Sequence, residues 1–532
     1  MSIKLNTNFE QCLNDLKLKY HEEFEYINGF HKTQLSLTDF KDMFTSVDTV
    51  ANITIDPSAN SDIKDIRTLI NDMSKPLHKL ICFNDVFTQI ENDFDLKTAI
   101  NWFEHEWTGL LYMHNATTCA YYSYCYAYDV KQIAEQGLFF LKSFKPGPAQ
   151  HLTTFNNHIL ETISWLSNRT SGAVGLPSYL VYSFYFWKKD CNDNYYLKSP
   201  EYYRDQCFQQ FIYDCNQPYL RITESAFTNI SIMDSNYLSE IFGDKQYPDG
   251  SYIIDYIDEL IEYQKAFMKV VSKTRYNQMM TFPVISFSLL TKKNNTASKF
   301  VDEDFAKWCV KHNMEWKDNN FYLGTDVTSL SSCCRLISNI SELNEQKKAK
   351  GFINSIGGTS LEIGSVQAST INLVRIAKMI KCRPLNTLEK EIQEYIKMLK
   401  EIQLLNMKAL HSVRNIIKKN ITLGLLPNYT CELIKLENQY NTIGITAMEE
   451  TMREFHLLQI DEFDNISYSK QAYEFASLIL DTIQQEANKF SNDKDYSINV
   501  EAIPGESANV KLAAKDNLLF SSNLYANLFS SF

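Results

Sequence analysis

The sequence predicts an α/β protein with buried parallel strands. Two patterns lead there. Long segments carry helical periodicity, and short, nearly continuous apolar runs lie between them. Strands covered by helices on both faces read as unbroken apolar runs, as in parallel sheets. Composition agrees: the chain is 44% hydrophobic, with 33 Phe and 31 Tyr, which fits a large folded core and not a disordered chain. Its 532 residues suggest three or four domains of about 150 residues, or one large barrel with additions.

Taken in order, residues 1–100 are expected to be mainly helical. "SDIKDIRTLINDMSKPLHKLI" (61–81) opens on a Ser cap and spaces its apolar residues three and four apart, with Pro76 as the expected break. "SYIIDYIDELIEYQKAFMKVV" (251–271) repeats the pattern. The longest helix is expected at 387–419, with Glu–Lys pairs on its polar face, and another at 469–490. "TFPVISFSLL" (281–290) and "ASTINLVRIA" (368–377) are of strand type. Neither an internal repeat nor a low-complexity linker interrupts the chain, so residues from about 150 to 500 can hold one barrel.

Charge and cysteines narrow the class. Acids number 64 against 52 Lys and Arg, a net charge of −12. That argues against a nucleic-acid polymer as partner, which needs a basic surface. No basic region followed by an apolar stretch opens the chain, and "LPSYLVYSFYFW" (176–187) is too short to span a bilayer, so no membrane is expected and a cytoplasmic location is. The 12 cysteines are scattered and include no CxxC pair, so free thiols are expected and no metal site on this chain.

One stretch stands apart. Residues 329–339 read "SLSSCCRLISN". A structural cysteine usually sits among apolar residues. A reactive one sits in an electropositive, partly exposed place, where a neighbouring Arg favours the thiolate. Cys333 and Cys334, among serines and before Arg335, fit the second description, with a structural pair as the alternative.

Five stretches in order carry a resemblance. They are "GLLYMHNATTCAYYSYCYAYD" (109–129), "SGAVGLPSYLVYSF" (171–184), "RITESAFTNIS" (221–231), "SSCCRL" (331–336) with "NSIGGTSLEIGSVQASTINLVRIA" (354–377), and "EAIPGESANVKLAAKD" (501–516). Together they resemble the large subunit of anaerobic (class III) ribonucleoside-triphosphate reductases, from about residue 50 onward. The resemblance implies a ten-stranded α/β barrel of two parallel five-stranded halves, here residues 101–532 after a helical region 1–100. A finger loop enters the barrel with a cysteine at its tip. That cysteine, as a thiyl radical, abstracts the ribose 3′-hydrogen, and the 2′-hydroxyl leaves as water.

Residue by residue, the resemblance implies Cys334 as the thiyl site, with Cys333 as fallback. Adjacent Cα atoms lie about 3.8 Å apart, short of the ~4.4–6.8 Å usual for disulfides, so a second redox thiol is expected from elsewhere. Cys125, in "YYSYCYAYD", matches the family's second active-site cysteine; a packed strand cysteine is the alternative. His114 is a substrate-site candidate or a core histidine, with Asn115 standing where the family tends to carry Asp. Asn354 and Asn372 can donate to and accept from ribose hydroxyls, although Asn372 could instead tie down a strand end. Gly357 and Gly358, like Gly172, Gly175 and Gly364, suit tight turns or phosphate contact. Glu501 and Glu506 are candidate acids or bases for loss of the 2′-hydroxyl, or a solvated loop.

The resemblance also sets expectations about partners. Radical chemistry needs a stored radical that ordinary side chains do not generate. The family stores it on a glycyl residue beside four zinc-binding cysteines. That motif does not occur here: the last glycine is Gly505 and the last cysteine Cys431. A separate C-terminal chain is therefore expected to supply glycyl radical and zinc. A radical S-adenosylmethionine iron–sulfur enzyme would activate it, with formate or a thioredoxin-like protein as reductant. A homodimer, ribonucleoside triphosphate substrates and ATP or dNTP effectors are expected too. The alternative is a non-catalytic nucleotide-binding fragment or regulatory relic.

Overall fold

The computed structural model describes residues 4–29, 38, 66–222, 225–278, 280–294, 297–317, 319–324, 329–332, 336–339, 362–463, 465–494, 496–501 and 506–521. They fall into two compact units. The first comprises residues 1–123, 365–425 and 439–532, the second 124–364 and 426–438. Cys333, Cys334, Asn354, Gly357 and Gly358 lie outside the described residues.

In chain order the strands are β1 (Leu111–Met113), β2 (Cys125–Ala127), β3 (Val174–Gly175), β4 (Thr228–Met233), β5 (Val284–Asn294), β6 (Ala297–Phe300), β7 (Asn320–Gly324), β8 (Ser329–Ser332), β9 (Leu336–Asn339), β10 (Gly364–Asn372), β11 (Gln439–Thr446), β12 (Leu458–Ile460), β13 (Ile466–Tyr468) and β14 (Ile498–Glu501). The helices used below are α1 (Thr7–Lys19), α2 (Ile66–Asp93), α3 (Leu96–Thr108), α4 (Leu152–Ser167), α5 (Pro200–Cys215), α6 (Ser235–Phe242), α7 (Ile257–Asn277), α8 (Glu303–Trp316), α9 (Leu373–Lys381), α10 (Leu388–Thr422), α11 (Lys470–Asn492) and α12 (Glu506–Ser521).

The second unit is built on a parallel sheet. β2 pairs with β3, β3 with β4, β4 with β5 and β5 with β7, all parallel, while β6 turns back antiparallel on β5. This matches one five-stranded parallel half of the expected barrel. Side chains alternate between faces along a strand, so the register sorts them. Ile230, Ile232, Ile285 and Phe287 share one face, and Phe287 packs there against Trp308 and His312 of α8. Asn229, Ser231, Ser286 and Ser288 share the other. Following the pairing outward adds Gly175, Ala127 and Cys125 to this polar face.

The first unit holds β1, β10, β11 and β14. β1 runs antiparallel to β10 (Leu111↔Ile371) and β11 parallel to β14 (Asn441↔Ile498), with β10 next to β11. Its N-terminal region is helical, as expected. Phe9 of α1, Phe83 and Phe87 of α2, and Trp102 and Phe103 of α3 form one buried aromatic cluster.

Several expectations hold closely. The helices expected at 387–419 and 469–490 are α10 and α11, which the structure shows capped by Thr387, accepting from Lys390 N–H, and by Ser469, accepting from Ala472 N–H. Two are corrected. Pro76 does not end its helix: α2 continues to Asp93. One missing backbone hydrogen bond costs less than the packing of a 28-residue helix against α3 and α10 supplies. The strand expected at 368–377 ends at Asn372, and α9 follows at once, because Leu373, Ile376, Ala377 and Ile380 are buried at helical spacing.

Candidate active site

The polar face of the second unit's sheet carries small, uncharged residues beside Val284, Met233 and Tyr322. Asn229 and Ser231 on β4, and Ser286 and Ser288 on β5, are all at most 1% exposed. The Asn229 side chain donates to Ser286 Oγ and to the Val284 carbonyl, both at 3.1 Å. Hydroxyls and amides such as these can both donate to and accept from a sugar.

Cys125 opens β2 on this face and is 5% exposed. Its sulfur accepts the Ala173 N–H at 3.2 Å, and Tyr124 and Phe227 pack around it. Two glycines let the chain close over it. A Cβ on Gly172 would stand 2.5 Å from the Cys125 sulfur, and one on Gly364 would stand 2.3 Å from the Cys125 carbonyl oxygen. Of the two readings open for Gly172 and Gly364, neither phosphate contact nor turn describes them best; close approach does. Gly172→Ala is expected to force Cys125 aside and cost about 1–3 kcal/mol. A thermal midpoint equal to that of the parent protein would count against this packing.

β8 and β9 pair antiparallel, with Ser332 opposite Leu336. Cys333, Cys334 and Arg335 join them in sequence. β8 packs against β4, β5 and β7. Helix α8 occupies the apolar face of β5, through Trp308 and His312 against Phe287. β8 and β9 flank the expected finger stretch in sequence, while Cys333, Cys334 and Arg335 themselves lie outside the described residues.

The remaining candidates lie in the first unit. His114 is 7% exposed. Its Nε2 lies 2.7 Å from Thr370 Oγ1. Burial lowers its pKa to about 4, which keeps the ring neutral at neutral pH. With the folded value below the ordinary one of about 6.5, its stabilisation is complete above that pH and is lost as pH falls toward 4, about 3 kcal/mol in all. His114→Gln should flatten the fall in urea midpoint between pH 6.5 and 4. An unchanged slope would show that another group sets it.

Asn372 is 1% exposed. Its amide donates to the Gly109 carbonyl at 3.2 Å and to the Asp516 carboxylate at 3.2 Å. These bonds fit the second of its two readings, a tie at the strand end. Glu501 ends β14 opposite Gly444, on the same face as Asn499. Thr442 Oγ1 donates to Asn499 Oδ1 at 2.7 Å and lies 2.7 Å from Ser365 Oγ. Glu506 is the first residue of α12. Among the described residues, no group of three or more His, Cys, Asp or Glu is arranged to hold a metal, and no helix is long and apolar enough to cross a membrane.

Sequence reasoning missed Asn229, Ser231, Ser286 and Ser288. The signal was present: "TNISIM" and "VISFSLL" alternate polar and apolar residues at period two, the mark of a strand with one special face.

Comparison with known proteins defines the class. A family model described as anaerobic ribonucleoside-triphosphate reductase matches residues 83–531. The crystal structure of the anaerobic ribonucleotide reductase from Thermotoga maritima with dATP in the specificity site is 35% identical, with a TM-score of 0.83 over 98% of this chain and 81% of that one. The same enzyme in complex with dATP and CTP matches at 35% identity and TM-score 0.84, over 99% and 81%. A further anaerobic ribonucleotide reductase matches at 34% and 0.83, over 98% and 78%. No curated protein matches. The fold and the matches together define an oxidoreductase of deoxyribonucleotide synthesis, with the α/β architecture of these enzymes. This chain belongs to the anaerobic ribonucleoside-triphosphate reductase family.

Proposed function

We propose that this chain reduces ribonucleoside triphosphates to 2′-deoxyribonucleoside triphosphates by a thiyl-radical mechanism, with Cys334 as the radical site and Cys125 as the second thiol. One observation carries the reading. Strand β8, which ends two residues before Cys334 in sequence, packs against β4, β5 and β7 of the parallel sheet whose strand β2 carries Cys125.

Cys334, as thiyl, takes the 3′-hydrogen. The 2′-hydroxyl leaves as water once protonated, with Glu501 or Glu506 as candidate acid and Cys125 as candidate hydrogen donor on the opposite ribose face. Asn354, with Gly357 and Gly358, is the candidate ribose contact. With formate as reductant the sum balances as ribonucleotide, formate and a proton giving deoxyribonucleotide, carbon dioxide and water. A thioredoxin-like dithiol would supply the same two electrons. The starting radical is proposed to be a glycyl radical, formed by a radical S-adenosylmethionine iron–sulfur enzyme. The dATP and CTP in the Thermotoga maritima complexes support nucleotide substrates and dNTP effectors here. A homodimer is part of the same proposal.

The test is anaerobic conversion of CTP to dCTP by the activated complex, followed by chromatography. dCTP formation dependent on this chain supports the reading. CTP and dATP binding without turnover would replace it with a nucleotide-binding regulator.

A further inference from the structure

The segment "RITESAFTNIS" contains an arginine that the reaction as described does not use. Arg221 lies just beyond α5 and reaches back to the loop between α4 and β3. Its guanidinium donates to three successive carbonyls: Nη2 to Thr170 at 3.3 Å and to Ser171 at 2.5 Å, and Nη1 to Gly172 at 3.4 Å. The next residue, Ala173, donates its N–H to the Cys125 sulfur at 3.2 Å. Gly172 N–H is bound to the Tyr124 carbonyl, one residue before Cys125. The loop therefore touches Cys125 through both backbone and sulfur, and Arg221 holds it from the far side.

We propose that Arg221 is a positioning residue for Cys125: it fixes the Thr170–Gly172 carbonyls and so aims the Ala173 N–H at the sulfur. The chemistry requires an arginine. Three carbonyls in a row present acceptors that a planar fork of donors can bind together, while a lysine ammonium acts as a point charge on a flexible stem. The proposal rests on Cys125 being the second thiol of the reaction only for its catalytic consequence. The structural claim stands apart from it.

The same geometry defines the test. Arg221→Gln and Arg221→Lys would be compared with the parent chain by peptide-resolved alkylation with iodoacetamide under native, anaerobic conditions. Cys207 and Cys215 on α5 serve as internal controls, since both are buried in the same unit. Arg221→Gln is expected to change the alkylation rate of Cys125 at least about fivefold with the two controls unmoved, and Arg221→Lys to fall between. In the activated complex Arg221→Gln should lower kcat for CTP at least about tenfold and leave KM within about twofold, because a misplaced reacting group affects the chemical step.

An unchanged Cys125 rate in both variants would overturn the proposal, whatever happens to kcat. Equal acceleration of all three cysteines would overturn it too, since that marks general loosening. A selective change at Cys125 with kcat unaltered would uphold the positioning role and remove Cys125 from the reaction.

Discussion

Cys334→Ser and Cys125→Ser are each expected to abolish dCTP formation in the activated complex, by at least about a thousandfold, the scale on which loss of a reacting group falls. The reasoning differs for the two. A hydroxyl holds its hydrogen far more strongly than a thiol does, so serine at the finger position cannot become the abstracting radical under the same driving force. At Cys125 the substitution is nearly isosteric. The Ala173 N–H that now reaches sulfur at 3.2 Å can still reach an oxygen, and the small neighbours on the sheet face are untouched. Loss of turnover there would report chemistry and not folding. Cys333→Ser is the matched control and should retain activity. If Cys333→Ser is inactive and Cys334→Ser active, the radical role moves by one residue. Full activity of Cys125→Ser would return that residue to the packed-cysteine reading.

The second large effect is on stability. Asp516→Ala is expected to cost the first unit about 3–5 kcal/mol, because it leaves a buried charge without its partner. Arg375 is 2% exposed and Asp516 4%. Arg375 donates to Asp516 and to the Thr108 carbonyl, and Asn372 donates to the same carboxylate. Next along α12, Lys515 donates to Asn28 Oδ1 at 2.8 Å and to the Glu106 carbonyl at 3.0 Å. Removing the carboxylate would strip Arg375 of its counter-ion and Asn372 of an acceptor at once. Urea unfolding followed by tryptophan fluorescence measures the loss. The double variant Arg375→Met with Asp516→Leu should recover most of it, since paired apolar residues need no desolvation of charge. A loss below about 1 kcal/mol in the single variant would mean that water reaches the pair.

Much of the local structure was legible from sequence, and where it was not the cause is physical. The long helices showed because their periodicity repeats over many turns and their caps are local: Thr387 and Ser469 need only their own next few residues. Pro76 misled because its cost is local while the packing that outweighs it comes from α3 and α10. Residues 373–377 misled because a short apolar run reads equally as strand or helix. Of the candidate site, Cys125 was recognised through its motif, but nothing near it in sequence reveals that Ala173 donates to its sulfur. His114 was singled out through its motif, and its contact Thr370 is 256 residues away.

The sequence by itself determined the class: α/β elements, an acidic net charge and the ordered motifs of an anaerobic reductase. These are properties of composition and of residues close together in the chain. Only the tertiary structure decided which glycines press on Cys125, which face of the parallel sheet is polar, and that Asn372 ties a strand end. Each depends on registers and contacts between segments 47 to 263 residues apart. Packing selects those contacts among many that the local sequence permits equally well.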